Sequence, residues 1–331
     1  MEYRELGTSG VKVSVVTFGA WAIGGWMWGG QDEEQAIRAL QTAMELGITT
    51  IDTAAVYGFG ASEELVAKAV GKNRDRVQIL TKYGLRWDRP GEGTLRFDTT
   101  DNEGRPLQVM RNSRPDSVIE ECERSLRRLR TDHIDLYQCH WPDPTTPIAE
   151  TMGAVEMLIR QGKVRAAGVS NYTTAQMAEA HAVVPLAASQ PPFSMVNRAA
   201  EKDILPWCIE HKVAVIPYSP LQRGLLTGKI TPGYQFGPGD HRASNPFFKP
   251  DNIRKVNALL DELRPIAAAH KATLAQLVIQ WTIRRPGITS ALVGARNERQ
   301  ATENAGALNF ALDAEETARI DELLDGLTLD L

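Results

Sequence analysis

Short apolar segments and amphipathic helical segments alternate along the chain, about every 30 to 40 residues. Eight of the apolar segments predict strands, at residues 13–19, 49–55, 78–84, 134–140, 165–171, 186–192, 213–219 and 290–295. Most of them are continuously apolar, which is typical of parallel strands that are buried on both faces. The helical segment at 120–130 is representative, because Cys122, Leu126 and Leu129 recur at helical spacing and arginines occupy the other side.

Eight strand–helix repeats predict a single α/β domain over residues 1–331, a (β/α)8 TIM barrel, with an open doubly wound sheet as the alternative. Residues 1–15 alternate around a Thr-Ser-Gly turn and predict a β-hairpin under the barrel floor. Residues 273–284 and 314–324 predict two extra helices in the C-terminal half, the second with the capping-box spacing of Asp313 and Glu316. The polar connections 86–114 and 221–250 have a length typical of lids or disordered loops.

Charge and cysteine content narrow the class of protein. The chain has 37 Lys and Arg against 41 Asp and Glu, a net charge of −4. This excludes a generally basic nucleic-acid surface and a polybasic membrane anchor. Three widely spaced cysteines (122, 139 and 208) form neither a disulfide framework nor a zinc motif. No signal-peptide pattern precedes residue 15, and the apolar stretch 18–28 is too short to span a membrane. We therefore expect a cytoplasmic protein without a metal centre or a nucleic-acid or membrane partner.

Polar side chains follow three consecutive predicted strands. Asp52 and Tyr57 follow the second strand, Lys82 ends the third and His140 ends the fourth. In a parallel barrel these strand ends meet at the rim that carries the active site. Singly, they could be a turn cap, a rim aromatic, a solvated lysine and a core histidine. Together they suit protonation of an oxygen that gains negative charge, as in carbonyl reduction.

The predicted chemistry gives each of the four residues a part. A cation at Lys82 lowers the pKa of a neighbouring phenol, which makes Tyr57 a better proton donor. Asp52 can hold the ammonium, and His140 can orient a substrate carbonyl or share the proton.

The hydride has to come from a cofactor. No G-x-G-x-x-G follows the first strand, residues 224–229 are one residue short of a phosphate loop, and no H-E-x-x-H is present. A Rossmann site, a triphosphatase and a zinc enzyme are therefore unsupported.

These residues also carry a resemblance to a known family. The sequence resembles the aldo-keto reductases, most closely the bacterial general-stress and inositol-utilisation reductases related to potassium-channel β subunits. The segments that carry the resemblance are 52–54, 57–58, 81–82, 140–143, 168–171, 218–221, 223–229 and 294–296, with Gln300, Glu303 and Asn304.

The resemblance implies an NADP-dependent oxidoreductase that reduces small aldehydes and ketones or oxidises small alcohols and polyols. It implies a catalytic tetrad of Asp52, Tyr57, Lys82 and His140, with Tyr57 as the general acid/base. Ser170, Asn171 and Gln190 should hold the nicotinamide carboxamide and Tyr218 should stack on the ring. The pyrophosphate should lie against Ser219, Leu221, Gly224 and Lys229. The remaining residues that the resemblance assigns to the cofactor are Gly19, Ala20, Trp21, Asp52, Pro220, Gly294, Arg296, Gln300, Glu303 and Asn304.

The choice between NADP(H) and NAD(H) depends on a cation for the 2′-phosphate. Arg296 lies at the matching position, and arginine suits phosphate geometry. Many family members have Lys-Ser where this chain has Gly294 and Ala295, and an arginine in place of Gln300. Because cations are fewer here, NADP(H) is the expected cofactor and NAD(H) a weaker alternative.

The expected partner is a small carbonyl or alcohol substrate. Trp21, Trp28, Trp87 and Trp141 fall in predicted rim loops and are candidates for the pocket wall, although Trp28 could instead pack its loop against the barrel. Two alternative functions stay open at this point. One is a redox-sensing NADP-binding module with incidental turnover, and the other is an aldolase with Lys82 as the Schiff-base nucleophile.

Overall fold

A computed structural model describes residues 1–331 and contains thirteen strands and ten α-helices. The strands are β1 (Tyr3–Glu5), β2 (Lys12–Ser14), β3 (Val16–Gly19), β4 (Thr50–Asp52), β5 (Gln78–Tyr83), β6 (Leu85–Arg86), β7 (Thr94–Thr100), β8 (Pro106–Arg111), β9 (Leu136–Cys139), β10 (Ala167–Ser170), β11 (Leu186–Gln190), β12 (Ala214–Val215) and β13 (Ala291–Gly294). The helices are α1 (Glu33–Glu45), α2 (Ala61–Val70), α3 (Pro115–Leu129), α4 (Ile148–Arg160), α5 (Thr174–Val183), α6 (Ile204–Glu210), α7 (Pro250–Ala269), α8 (Leu274–Arg284), α9 (Glu298–Ala305) and α10 (Ala314–Asp325). None of these helices is long and apolar enough to cross a membrane.

Eight parallel strands form the barrel that the sequence predicts. They lie side by side in the order β12, β11, β10, β9, β5, β4, β3 and β13. Parallel bridges from Val215 to Ile288 and from Tyr218 to Leu292 join the two ends of this sheet, so it closes on itself. The (β/α)8 prediction is confirmed, and the open doubly wound alternative is wrong. Each predicted strand corresponds in order to a strand of the barrel.

Burial explains why the sequences of the strands are continuously apolar. In β5, every residue from Ile79 to Tyr83 is buried, because one face lines the barrel interior and the other packs under the helices. Helix α3 shows the complementary pattern, with Cys122 and Leu129 buried and Arg124 and Arg127 turned outward.

The N-terminal hairpin covers one end of the barrel. Strands β1 and β2 pair antiparallel, with Tyr3 opposite Ser14. Leu6, Val11 and Val13 pack against side chains of the barrel interior such as Leu80. The predicted hairpin at the floor is therefore confirmed, and the carboxyl ends of the strands form the other, open end.

The C-terminal half contains two helices in addition to the eight of the strand–helix repeat, as predicted. Helix α10 is one of them, and the predicted capping box of Asp313 and Glu316 is present. The other is α7 rather than the predicted segment 273–284. Helix α8, which contains that segment, contacts β13 and α9 and so belongs to the ring, whereas α7 packs on α8 and α10.

The polar connection 86–114 is ordered as a small sheet rather than a loop. Strands β6, β8 and β7 pair antiparallel in that order. No residue of β7 is fully buried and most of its residues are polar, which is why the sequence did not predict a strand there. The connection 221–250 contains three short 3-10 helices, Gln222–Thr227, His241–Ser244 and Pro246–Phe248.

Candidate active site

A cavity of about 600 Å³ opens at the carboxyl ends of the barrel strands. Its walls come from residues at or just after β3, β4, β9, β10, β11, β12 and β13, and from the connections 86–114 and 221–250. This is the rim on which a barrel of this kind carries its chemistry.

Lys82 and Asp52 form a buried ion pair below this cavity. The Nζ atom of Lys82 on β5 donates to Oδ1 of Asp52 at the end of β4, over 2.5 Å. The same ammonium donates to the carbonyl oxygen of Thr53 at 2.9 Å and to the hydroxyl oxygen of Tyr57 at 3.4 Å. Three acceptors therefore surround the three ammonium hydrogens, and the lysine is fixed beneath the phenol.

The second oxygen of the Asp52 carboxylate is also bound. Its Oδ2 accepts from Nε2 of Gln190 at 2.8 Å and from Nε2 of Gln138 at 3.2 Å. Gln138 was missed at the sequence level. The available signal was an amide side chain in the middle of β9, a strand that is buried throughout. Because buried polar groups need partners, that position indicated a contact inside the barrel.

His140 lies beside Tyr57 at the rim. The two ring centroids are 5.6 Å apart and the rings meet edge to face. Burial, with the positive charges of Lys82 and Arg96, holds the pKa of His140 well below 6.5. The imidazole is therefore neutral near pH 7, a form that carries one N–H donor.

The pKa of Tyr57 is raised well above 10 in this structure. Burial disfavours the phenolate, and the Asp52 carboxylate opposes it as well. This differs from the sequence-level expectation that Lys82 lowers the pKa. The physical reason is that the Lys82 charge is largely balanced by Asp52, while burial lowers the pKa of Lys82 itself.

A hydrogen-bonded chain follows the tetrad along the rim. Oγ of Ser170 donates to the carbonyl oxygen of Gln190 at 2.8 Å, and Nδ2 of Asn171 donates to Oγ of Ser170 and to the carbonyl oxygen of His140, both at 3.0 Å. The hydroxyl of Tyr218 donates to Oδ1 of Asn171 at 2.9 Å. These contacts fix a polar edge beside the Tyr218 ring.

The predicted cofactor residues all line the one cavity. They are Gly19, Ala20, Trp21, Asp52, Ser170, Asn171, Gln190, Tyr218, Ser219, Pro220, Leu221, Gly224, Lys229, Gly294, Arg296, Gln300, Glu303 and Asn304. Of the predicted tetrad, Asp52, Tyr57 and His140 also line it, whereas Lys82 lies behind them.

The charges of the cavity suit an elongated anionic cofactor. Arg296 donates through Nη2 to the carbonyl oxygen of Gly30 at 2.8 Å and through Nη1 to that of Trp28 at 3.3 Å. These acceptors are neutral, so the Arg296 charge is not balanced by a carboxylate.

Two further cations line the same cavity. The Cζ atom of Arg223 lies 5.5 Å from the centroid of the Trp21 ring, and burial lowers the pKa of Arg223. Lys229 pairs with Glu303 at 3.4 Å. Phosphate groups are the natural partners of such cations.

Three of the four predicted substrate tryptophans line the cavity. Trp21 and Trp28 pack edge to face, 5.4 Å apart, and their Nε1 atoms are buried without a partner. Trp141 also lines the cavity, beside Arg96. Trp87 does not line the cavity, and its ring packs on Phe59 with 5.6 Å between the ring centroids.

Residues of the two long connections were missed as site residues. Arg96 and Phe97 come from β7, and Arg223 and Arg242 from the segment 221–250. The polar composition of both connections indicated functional loops, but it did not identify these side chains.

Comparison with known proteins places the whole chain in one family. Residues 15–325 match the Aldo/keto reductase family. The chain is 37% identical to the aldo-keto reductase YhdN of Bacillus subtilis, over 100% of this chain and 96% of the relative. It is 36% identical to the NADH-specific methylglyoxal reductase of Escherichia coli, over 99% of each. The structure of the glycerol dehydrogenase AKR11B4 from Gluconobacter oxydans superposes with a TM-score of 0.86 at 38% identity, covering 97% of this chain and 94% of that one.

Proposed function

Because the chain belongs to the aldo/keto reductase family, we propose that it is an NADP(H)-dependent oxidoreductase of small carbonyl compounds. It reduces an aldehyde or ketone, or in reverse it oxidises a small alcohol or polyol. The observation that carries the proposal is the position of Tyr57, whose hydroxyl lies at the cavity wall 3.4 Å from the Lys82 ammonium. A cytoplasmic location fits the three cysteines, which are buried and unpaired.

Tyr57 supplies the proton in this account. The nicotinamide cofactor, when bound, supplies the hydride that no side chain can carry. The substrate oxygen accepts hydrogen bonds from Tyr57 and from neutral His140, which orients the carbonyl. As that oxygen gains negative charge, the O–H bond of Tyr57 breaks and an O–H bond to the substrate forms. The Lys82 ammonium, which donates to the Tyr57 oxygen at 3.4 Å, stabilises the resulting phenolate through this hydrogen bond. In the oxidation direction the phenolate takes the proton back.

Asp52 acts through Lys82 and is a positioning residue as well as a counter-charge. It holds the ammonium in place, and Gln138 and Gln190 hold the carboxylate in turn.

The contacts of Lys82 weigh against the aldolase alternative. A Schiff base requires an unprotonated and accessible amine, whereas the Lys82 ammonium is enclosed by three acceptors behind the cavity wall.

Arg296 is the residue that we propose for discrimination between NADP(H) and NAD(H). Its charge is unbalanced and its guanidinium is oriented by the carbonyls of Trp28 and Gly30. Gln300 accepts from the backbone N–H of Arg296 at 2.8 Å and fixes the start of α9. Since the relative from Escherichia coli is NADH-specific, cofactor preference needs its own measurement.

The test measures consumption of NADPH and of NADH with methylglyoxal, and formation of both with glycerol, beside the variant Arg296→Gln. We expect wild type to prefer NADPH, and the variant to lose about 10-fold or more in kcat/KM for NADPH but little for NADH, because one charge-assisted contact is worth about 1.5–3 kcal/mol. Equal use of both cofactors by wild type would contradict the proposed preference for NADP(H) but not the proposed oxidoreductase activity. Tight cofactor binding without turnover of any carbonyl or alcohol would instead favour the redox-sensing module.

A further inference from the structure

Arg96 enters the active-site cavity from an irregularity in β7. Leu95 pairs with Met110 and Phe97 pairs with Val109, so Arg96 is an additional residue without a partner in β8. Neighbouring side chains of a regular strand point to opposite faces. Here Arg96 and Phe97 both line the cavity, because a bulge of this kind redirects a side chain.

The Arg96 guanidinium has no anionic partner in the protein. Its Cζ atom lies 4.3 Å from the centroid of the Trp141 ring, and its Nε atom is buried without a hydrogen-bond partner. The carboxylates that line the cavity are those of Asp52 and Glu303, and each is paired with a lysine. A cation is thus held against an aromatic wall of the cavity, and no carboxylate balances its charge.

This cation is close to the reacting groups. Trp141 directly follows His140 in the chain, and the positive charge of Arg96 contributes to the lowered pKa of His140. The residues proposed for the phosphates of the cofactor, Lys229 and Arg296, come from other elements. Arg96 is therefore a cation on the substrate side of the site.

We propose that the substrate of this site carries an anionic group, a carboxylate or a phosphate, which Arg96 binds beside the Trp141 ring. The inference rests on the proposed function, because it concerns the carbonyl compound that the same site reduces. A guanidinium presents two parallel N–H donors to either group, and a wall with little water strengthens such a pair. Neutral aldehydes of the same length lack this contact.

Two matched pairs of substrates test the proposal. The carboxylate pair is 4-oxobutanoate and its methyl ester, and the phosphate pair is glyceraldehyde 3-phosphate and glyceraldehyde. We expect wild type to have a kcat/KM at least 10-fold higher for the anionic member of one pair, with most of the difference in KM. The pair that shows the larger ratio identifies which anionic group the site takes.

The variants are Arg96→Gln and Arg96→Lys, with Arg111→Gln as the matched control. Arg111 lies on the neighbouring strand β8 and also has a buried Nε without a partner, but it does not line the cavity. We expect Arg96→Gln to lose about 10- to 100-fold on the anionic substrate and less than about 3-fold on the neutral one. Arg96→Lys should recover part of the loss, since it keeps the charge without the paired donors. Arg111→Gln should behave like wild type.

A binding measurement provides a second readout that does not depend on turnover. Succinate should bind the wild-type protein in a calorimetric titration, and Arg96→Gln should weaken this binding by a similar factor. Equal losses on charged and neutral substrates would show that Arg96 only packs on Trp141 and would overturn the inference. An absence of preference in wild type would do the same while leaving the reductase proposal intact. If wild type reduces neither member of either pair but turns over methylglyoxal or glycerol, the inference alone fails; if it turns over none of these compounds, the proposed function fails as well.

Discussion

At the scale of single residues, the site depends on a buried ion pair that is fully hydrogen-bonded. Burying Lys82 and Asp52 removes two charges from water, which is unfavourable unless every remaining donor and acceptor finds a partner. Thr53, Gln138 and Gln190 provide those partners. The ammonium is consequently fixed under Tyr57 before any substrate arrives, and no reorganisation is required when the phenolate forms.

Gly58 keeps Tyr57 in position through a close backbone contact. Its φ is +62°, and a Cβ at this residue would lie 2.2 Å from the carbonyl oxygen of Gly24. We predict that Gly58→Ala lowers the free energy of unfolding by at least ~2 kcal/mol and also lowers kcat, because relief of the clash displaces the neighbouring Tyr57. Urea unfolding and steady-state kinetics measure the two effects.

Gly162 provides the matched control for this substitution. It has a φ of +73° and nothing within 4 Å of a Cβ. Gly162→Ala therefore includes the cost of a positive φ without the clash, about 1 kcal/mol. Similar losses of stability in the two variants would contradict the role of the contact between Gly58 and Gly24.

The sequence predicted the tetrad but not everything around it. Asp52, Tyr57, Lys82 and His140 follow buried strands directly, so a parallel barrel brings them to one rim whatever the loops do. Arg96 could not be predicted, since its direction depends on a bulge that has no clear sequence signal. Trp87 was predicted at the pocket from its position in the chain alone, and it packs on Phe59 instead.

At the scale of elements, helix α3 is joined to the end of β5 by a buried carboxyl group. Oε1 and Oε2 of Glu121 accept from the backbone N–H of Gly84, at 3.1 and 3.3 Å. Burial raises the pKa of Glu121 to about 8 from 4.5, although Arg86 opposes the change. Between these two values the folded protein binds a proton at Glu121 that the unfolded chain does not bind. Stability therefore falls as the pH rises through this interval.

We predict that Glu121→Gln removes this pH dependence. The amide oxygen still accepts from Gly84 and does not titrate. The difference in unfolding free energy between pH 5 and pH 8 should become smaller by roughly 1–3 kcal/mol in the variant. Urea denaturation at both pH values measures it, with Glu150→Gln at an exposed position of α4 as the control. An unchanged difference in Glu121→Gln would show that the carboxyl is already ionised in the folded protein.

Elements with strong apolar periodicity were the predictable ones. The eight barrel strands and the amphipathic α3 have faces that are either fully buried or clearly divided. The sheet of β6, β7 and β8 was not predicted, because most residues of its longest strand, β7, are polar and none of them is fully buried. The assignment of α7 and α8 depends on which helix contacts β13, which is a tertiary property and not a local pattern.

At the scale of the whole molecule, stability and chemistry lie at opposite ends of the barrel. The hairpin of β1 and β2 covers the floor with apolar side chains such as Leu6, while the cavity at the other end collects polar and charged groups from most of the strands. The two connections that reach over the rim, 86–114 and 221–250, add the arginines and aromatic residues by which the substrate is selected in this account. The barrel itself provides the reacting groups.

The most direct test of the central claim is a single-turnover measurement of aldehyde reduction by wild type and Tyr57→Phe, with cofactor binding measured separately by fluorescence. The account predicts that the variant binds NADPH as wild type does and loses at least about 100-fold in the reduction rate, because a positioned general acid contributes about 10²- to 10⁴-fold. A variant that keeps more than about a tenth of the wild-type rate would contradict the assignment of Tyr57 as the proton donor.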